Sequence, residues 1–308
     1  KGSSAMNIRE LSLLAIKREE TMQKRLEELQ RLIDEEVYRI YEVSEEDKQL
    51  IKKELSLAQT EIHVDIEAKI IEHVARLVSF YIKKALEANP DGIIPLHQLV
   101  EEVRNYLAED FGKNQVEIKE KEIEEILGKN LEEWIATEYF DFHVNLYKRR
   151  PIFWHLTSAN FSKTRGSKGA FNIFIHYHKL DRDTIPKIRI NYLKPEIEIA
   201  KRKVERLKKQ LQEIKKEGNK KKERKIAKEL ENALATLEEL QAFDKALETV
   251  HNPRPDKTKL PENPRWVDLK IAEVRDNGYN PNIDYGVRVN IEPLKEANLL
   301  HKAARRVK

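Results

Sequence analysis

From Ile8 to Tyr41 apolar residues return every three or four positions, at Ile8, Leu11, Ala15, Met22, Leu26, Leu29, Ile33, Val37 and Ile40, with Glu, Lys and Arg filling the intervals. That spacing lines one helix face and predicts a single long amphipathic helix. Ser44-Glu45-Glu46-Asp47 follows, a capping serine with an acid three positions on, so the chain is expected to break at Val43 and restart as a helix towards Gln59. A further helix is predicted from about Ile66 to Ala88. It ends at Asn89-Pro90-Asp91-Gly92, where fixed and permissive backbones favour a turn. Helical spacing resumes over Leu96–Phe111, Glu117–Leu127 and Asn130–Leu146.

The pattern changes at Lys148-Arg149-Arg150-Pro151. Ile152–Leu156 and Phe171–Tyr177 read as two strands joined by a loop from Ser158 to Gly169. Two long charged runs, Lys194–Lys216 and Lys220–Val250, then flank Gly218-Asn219. Val204, Leu207, Leu211 and Ile214 in one, and Ile226, Leu230, Ala233, Leu237 and Leu240 in the other, give the seam of an antiparallel hairpin. A proline-rich loop from Asn252 to Pro264, the segment Trp266–Val274, a short strand around Gly286–Asn290 and a terminal helix complete the reading. The expected fold is mainly α: a helical domain followed by a small α+β element with a long antiparallel coiled-coil hairpin. By residue, 1–5 resembles a cloning scar, 6–60 forms connecting helices, 61–148 the helical domain, 149–193 the β-containing element, 194–250 the basic hairpin and 251–308 the closing segment.

Composition agrees with long solvated helices: charged residues are 36%, aromatics 7%, and there are nine glycines. Cysteine is absent, which excludes disulfides and thiolate metal sites and points to a cytoplasmic setting. No apolar run reaches the roughly 20 residues that span a bilayer, so no membrane partner is expected. A net charge of +4 identifies no partner by itself, because placement matters more than the total.

The placement is uneven. Between Lys201 and Lys228 fourteen lysines and arginines stand against Glu205, Glu213, Glu217 and Glu223, about +10 in one stretch. Such a field attracts phosphates with strong salt dependence, although a solubilised helical hairpin presents the same composition. The candidate DNA-binding residues here are Lys208, Lys209, Lys220, Lys221, Lys222 and Arg224. A second group is Lys148, Arg149 and Arg150, with Lys163, Arg165 and Lys168 in the next loop. Trp154 accompanies them, but its alternation with Ile152 and Leu156 fits a core position better than a stacking platform.

Two further constellations are weaker. His176 and His178 share a face of the expected strand, with His143 and His155 as further nitrogen ligands, but no cysteine or carboxylate at ligand spacing joins them. Asp91 with Glu117-Ile118-Lys119 matches a metal-dependent nuclease pattern only in letters, because the first lies in a turn and the rest open a helix. The phosphate loop, the nucleophile elbow and the dinucleotide turn are all missing from the sequence. So is the Asn/Asp-Pro-Pro-Tyr/Phe motif of amino-methyltransferases: Asn252-Pro253-Arg254, Asn263-Pro264-Arg265 and Asn280-Pro281-Asn282 do not supply it. No catalytic, cofactor-binding or metal residue is assigned.

Tyr147–Ser158, Gly169–His178, Asp183–Arg189 and Tyr279–Leu294 together resemble the C-terminal region of the BREX phage-exclusion adenine-specific DNA methyltransferases (PglX) and related single-chain type II restriction-modification enzymes. The likeness covers most of 120–308. Val37–Tyr41 and Ser44–Asp47 resemble the helical stretch leading into that region. Tyr285 departs from the usual Asp-Asp-Gly-Val or Asn-Asp-Gly-Val turn, with Asp284 and Gly286 retained. The resemblance implies a parent enzyme that methylates adenine N6 from S-adenosylmethionine, with catalytic and cofactor motifs upstream of Met6 and none in this segment. The expected role is a non-catalytic DNA-contacting and spacer module. Its partners would be double-stranded DNA, the upstream methyltransferase domain and other defence-system subunits. The alternative is a protein-interaction platform for those subunits.

Overall fold

The computed structural model describes residues 6–57, 65–164, 166–217, 219–253 and 260–307. The chain divides into two compact units, 1–77 with 107–128, and 78–106 with 129–308. The residues expected as one helical domain, 61–148, are therefore shared between them.

The first unit is helical. Its long helix α1, Ile8–Ile40, starts where the cap chemistry dictates: the Asn7 side chain accepts from the Glu10 amide and Glu10 answers to the Asn7 amide. Only Ile8, Ser12 and Ile16 of α1 are buried, and from Met22 onward its apolar stripe is exposed. Ser44 takes the Asp47 amide at 3.1 Å and opens α2, Glu45–Leu57, as the capping motif requires; the expected continuation to Gln59 lies outside the described residues. The first turns of α1 pack on α5, Val116–Leu127. There the buried Lys119 ammonium reaches Met6 O at 2.9 Å and Glu122 at 3.0 Å, and Glu122 also accepts the Ile8 amide. The division falls inside α3, Ile66–Ala88, and inside α4, Leu96–Phe111.

The second unit is built on a three-stranded antiparallel sheet. Strands β1, Ile93–Pro95, β2, Phe153–Thr157, and β3, Asn172–His176, lie in the order β1-β3-β2. Phe153 faces His176 and Thr157 faces Asn172, while Ile93 faces Ile175. Two of these strands were legible. β1 is three residues long and contains Pro95, which an edge strand tolerates because its missing N–H is not needed by the ladder. The free edge of β2 is covered by the chain end, through a Thr157 amide bond to Leu299 O and a His301 amide bond to His155 O. Asn130 caps α6, Leu131–Trp134, which runs through a π-helical turn, Ile135–Tyr139, into α7, Phe140–Leu146. After α8, Thr184–Lys187, a second π-helical turn, Ile188–Leu193, leads into α9, Lys194–Glu217. Residues 184–193 of the expected β-containing element are thus helical.

Helix α10, Lys220–His251, returns along α9, with Val204 and Leu207 packed on Ala233, Leu230 and Leu237. The hairpin grows from the main core, where Phe243 meets Phe161 and Phe171 at ring separations of 5.8 Å. Gly218 and the proline-rich residues 254–259 lie outside the described residues.

The closing segment corrects the sequence reading. Val287–Glu296 is a helix, α12, and no strand spans Gly286–Asn290; α11 is Trp266–Asp276, and the chain closes as a 3₁₀ turn, Lys302–Arg306. Val287-Arg288-Val289-Asn290-Ile291 alternates like a strand. However, Gly286 at φ 85° turns the chain into a helix. Buried Asn290 then fixes that start, donating to Asn282 O at 2.7 Å, Gly286 O at 3.2 Å and the Tyr177 hydroxyl at 3.1 Å. No described helix is long and apolar enough to cross a membrane.

Candidate nucleic-acid interface

Lys148, Arg149 and Arg150 form the turn that leaves α7. All three are exposed, and none forms an ion pair or side-chain hydrogen bond among the described residues. Lys148 and Arg149 hold positive φ, 50° and 65°, where the turn bonds its amides to Asn145 O and Val144 O. That conformation is usually given to glycine, and two long cationic side chains hold it here at a steric cost. A further contribution, from the C-terminal residues, has no signature in the local sequence. Arg306 donates to Asp141 and lies 3.5 Å from Asn145, so the chain reaches α7 again through Arg306. Arg305 is exposed and unpaired among the described residues.

The other loop candidates are differently placed. β2 separates Ser158 from the basic turn by about 16 Å at an ordinary strand rise. Lys163 pairs with Glu238 of α10 at 2.6 Å, Lys168 pairs with Glu132 of α6 at 2.8 Å, and Arg165 lies outside the described residues. Both described lysines thus tie the loop to its neighbours, leaving less free charge than expected. The strongest tether was invisible in the sequence. Buried Glu239 of α10 accepts from the Ser158 hydroxyl and from the Ala170 amide, and Ser158 in turn accepts the Phe171 amide at 2.9 Å. One carboxylate closes both ends of the loop. Gly169, at φ 82°, has no room for a Cβ, which would stand 2.8 Å from Thr157 Oγ1 and from the Ala159 nitrogen.

The hairpin candidates Lys208, Lys209, Lys220, Lys221, Lys222 and Arg224 are exposed and free of ion pairs among the described residues. They lie towards the hairpin's far end: Lys220 is about 28 Å along α10 from Glu239 at the helical rise. Basic charge therefore occupies separate places, and the two paired loop lysines add little.

The histidines do not assemble as the strand reading suggested. β3 ends at His176, and Tyr177–Lys179 is a 3₁₀ turn in which His176 Nδ1 accepts the His178 amide at 3.1 Å. His143 Nε2 accepts the Phe153 amide, while His155 bonds Asn172 and stacks on His301 at 5.2 Å. Among the described residues no three metal-ligating side chains converge. Asp91 accepts from Lys187, and Glu117 pairs with Lys121. Trp154 is core, 1% exposed and 5.8 Å from the Phe140 ring.

No protein-family model matches the sequence. The chain is similar to the adenine-specific methyltransferase PglX of Lacticaseibacillus casei (strain Zhang), 29% identical over 157 residues, which cover 48% of this chain and 12% of that protein. It is also similar to the adenine-specific methyltransferase BrxX of Escherichia coli O9:H4 (strain HS), 26% identical over 133 residues, covering 36% and 10%. The chain thus has partial relatives among adenine-specific methyltransferases and spans about a tenth of their length.

Proposed function

We propose that this chain is a non-catalytic, DNA-contacting and spacer module of an adenine-specific (N6) DNA methyltransferase of the BREX or restriction-modification kind. The observation that carries the reading is the far end of the hairpin, where lysines and arginines stand exposed and unneutralised on two rigid helices. Phosphate contacts of that kind set register on a duplex and carry no sequence information themselves. The strained turn Lys148–Arg150 offers a second phosphate contact. Methyl transfer from S-adenosylmethionine would belong to the rest of such an enzyme, since this sequence lacks the motif that holds the target amine.

Fluorescence anisotropy with duplex DNA at several salt concentrations tests the reading, alongside a variant with Lys148, Arg149 and Arg150 changed to alanine. Salt-sensitive binding weakened in the variant is expected; absence of binding at low salt would overturn it. A second reading, a platform for other defence subunits, draws on the exposed stripe Met22, Leu26, Leu29, Ile33, Val37 and Ile40 of α1. It requires salt-insensitive binding of a protein partner that is lost when the stripe is made polar.

A further inference from the structure

Helix α1 has 33 residues, about 50 Å at the helical rise, and only its first turns are packed. None of its residues after Ile16 is buried, and Glu19, 3.3 Å from His73 of α3, still touches the body of the first unit. Beyond that point Met22, Leu26, Leu29, Ile33, Val37 and Ile40 recur three and four apart on one face, with Leu32 at its edge, all between 40% and 66% exposed. These side chains leave about 600 Å² of apolar surface in water, as much as the largest patch of an ordinary monomer, about 300–600 Å². A helix gains most of its stability by burying such a face, and this one lacks a cover within the chain.

The charges along α1 point to the partner. From residue 17 to 25 the helix carries Lys17, Arg18, Lys24 and Arg25 against Glu19 and Glu20, a net +2. From residue 34 to 39 it carries Asp34, Glu35 and Glu36 against Arg39, a net −2. The helix is therefore complementary to itself when reversed. With two copies crossing between Leu29 and Gln30, Met22 of one stands level with Val37 of the other, and Leu26 with Ile33. Glu20 then stands level with Arg39, Lys24 with Glu35, Arg25 with Asp34 and Glu28 with Arg31, and no two like charges between Glu19 and Ile40 share a level. Charges on the outer faces act only over the roughly 10 Å that salt leaves unscreened, which suffices to select an orientation. A parallel pair sets every charge level with its like. The length fits as well: Ile40 of the second copy ends level with Glu19, where the free part of α1 begins.

We propose that two copies of this chain associate through α1 as an antiparallel helix pair, about a two-fold axis between Leu29 and Gln30. Such a self-complementary contact covers both stripes, roughly 1,200 Å² of apolar surface, which reaches the lower end of standard protein–protein interfaces, about 1,200–2,000 Å². The inference goes beyond the duplex-contact reading and gives the stripe a definite occupant, a second copy, in place of another subunit. A dimer also carries each basic surface twice.

Sedimentation equilibrium of the full chain between about 1 and 100 µM tests it, without DNA, so that the outcome is independent of the duplex-contact reading. A reversible monomer–dimer equilibrium is expected. Leu29→Glu, which sets two carboxylates beside the axis, should raise the dissociation constant at least ten-fold. Leu29 is exposed in the monomer, so the dilute variant should melt like the parent. Because the sequence has no cysteine, single-cysteine variants report orientation. Under oxidising conditions Met22→Cys mixed with Val37→Cys should give a crosslinked pair. Met22→Cys alone should not, since its two copies lie about 22 Å apart along the axis. Crosslinking of Met22→Cys alone would reveal a parallel pair and overturn the proposal. So would a chain that stays monomeric at the highest concentration, which leaves the stripe to a different protein, or a dimer that Leu29→Glu does not weaken, which uses another surface.

Discussion

Lowering the pH from 7 to 5 strikes the sheet unit where it is most exposed to protons, because three of its histidines are buried in neutral form. His143 and His155 have no solvent exposure and His301 is 7% exposed. Burial pushes His143 down to about 3 and His301 down to about 4. It also holds His155 well below its ordinary range, with His301 stacked beside it adding to the effect. Unfolded, each titrates near about 6.5. Below that pH the unfolded chain takes up protons that the native fold refuses. The stabilisation present above about 6.5 therefore fades as pH falls and is exhausted only at the native pKa. At pH 5 the His143 and His301 rings remain neutral in the fold, so each costs about 2 kcal/mol relative to pH 7. With His155 the loss is about 5–6 kcal/mol, comparable with the whole stability of many domains, about 5–15 kcal/mol. Urea unfolding followed by circular dichroism at pH 7, 6 and 5 should show this decline. His301→Asn, which retains an acceptor for the Ala303 amide, should remove about a third of it. Stability that is flat from pH 7 to 5, or an NMR titration of His143 near pH 6.5, would refute the reasoning.

Two other consequences concern the loop between β2 and β3. Glu239→Ala should cost about 2–4 kcal/mol in urea unfolding, since it leaves the Ala170 amide and Ser158 hydroxyl without their shared acceptor. Glu239→Gln, which keeps one oxygen, should cost less; equal losses would mean that packing, not the acceptor, matters. Gly169→Ala should destabilise by at least about 1 kcal/mol through its positive φ, and more through overlap with Thr157 and Ala159. An unchanged melting temperature would contradict that geometry.

Where a residue's neighbours in sequence determine its structure, the sequence was a sound guide. Asn7 and Ser44 cap helices because the caps are local, and Val204, Leu207, Leu230 and Ala233 predict the hairpin because helical spacing alone makes its seam. The alternation of Val287 to Ile291 misled, because Asn290, bonded to Tyr177 more than a hundred residues away, holds a helix there. Strand β1 was hidden because its partner β3 lies some eighty residues on and Pro95 disguises an edge. The candidate interface was half legible. Runs such as Lys220-Lys221-Lys222 announce their charge, but the pairing of Lys163 and Lys168 with acids on other elements is a tertiary fact, as is the contact of Arg306 with Asp141 of α7. The Glu239 clamp left no signal, since one glutamate in a glutamate-rich helix is unremarkable until the fold buries it.

The central claim is that the hairpin's cations engage DNA phosphates. It is tested most directly by the salt dependence of duplex binding, compared between the parent chain and a variant with Lys208, Lys209, Lys220, Lys221, Lys222 and Arg224 changed to alanine. If all six contact phosphates, the slope of log affinity against log salt should become shallower by up to about five, from roughly 0.9 per phosphate neutralised. The same slope and affinity in both proteins would contradict the claim and leave the hairpin's charge as a solubilising surface.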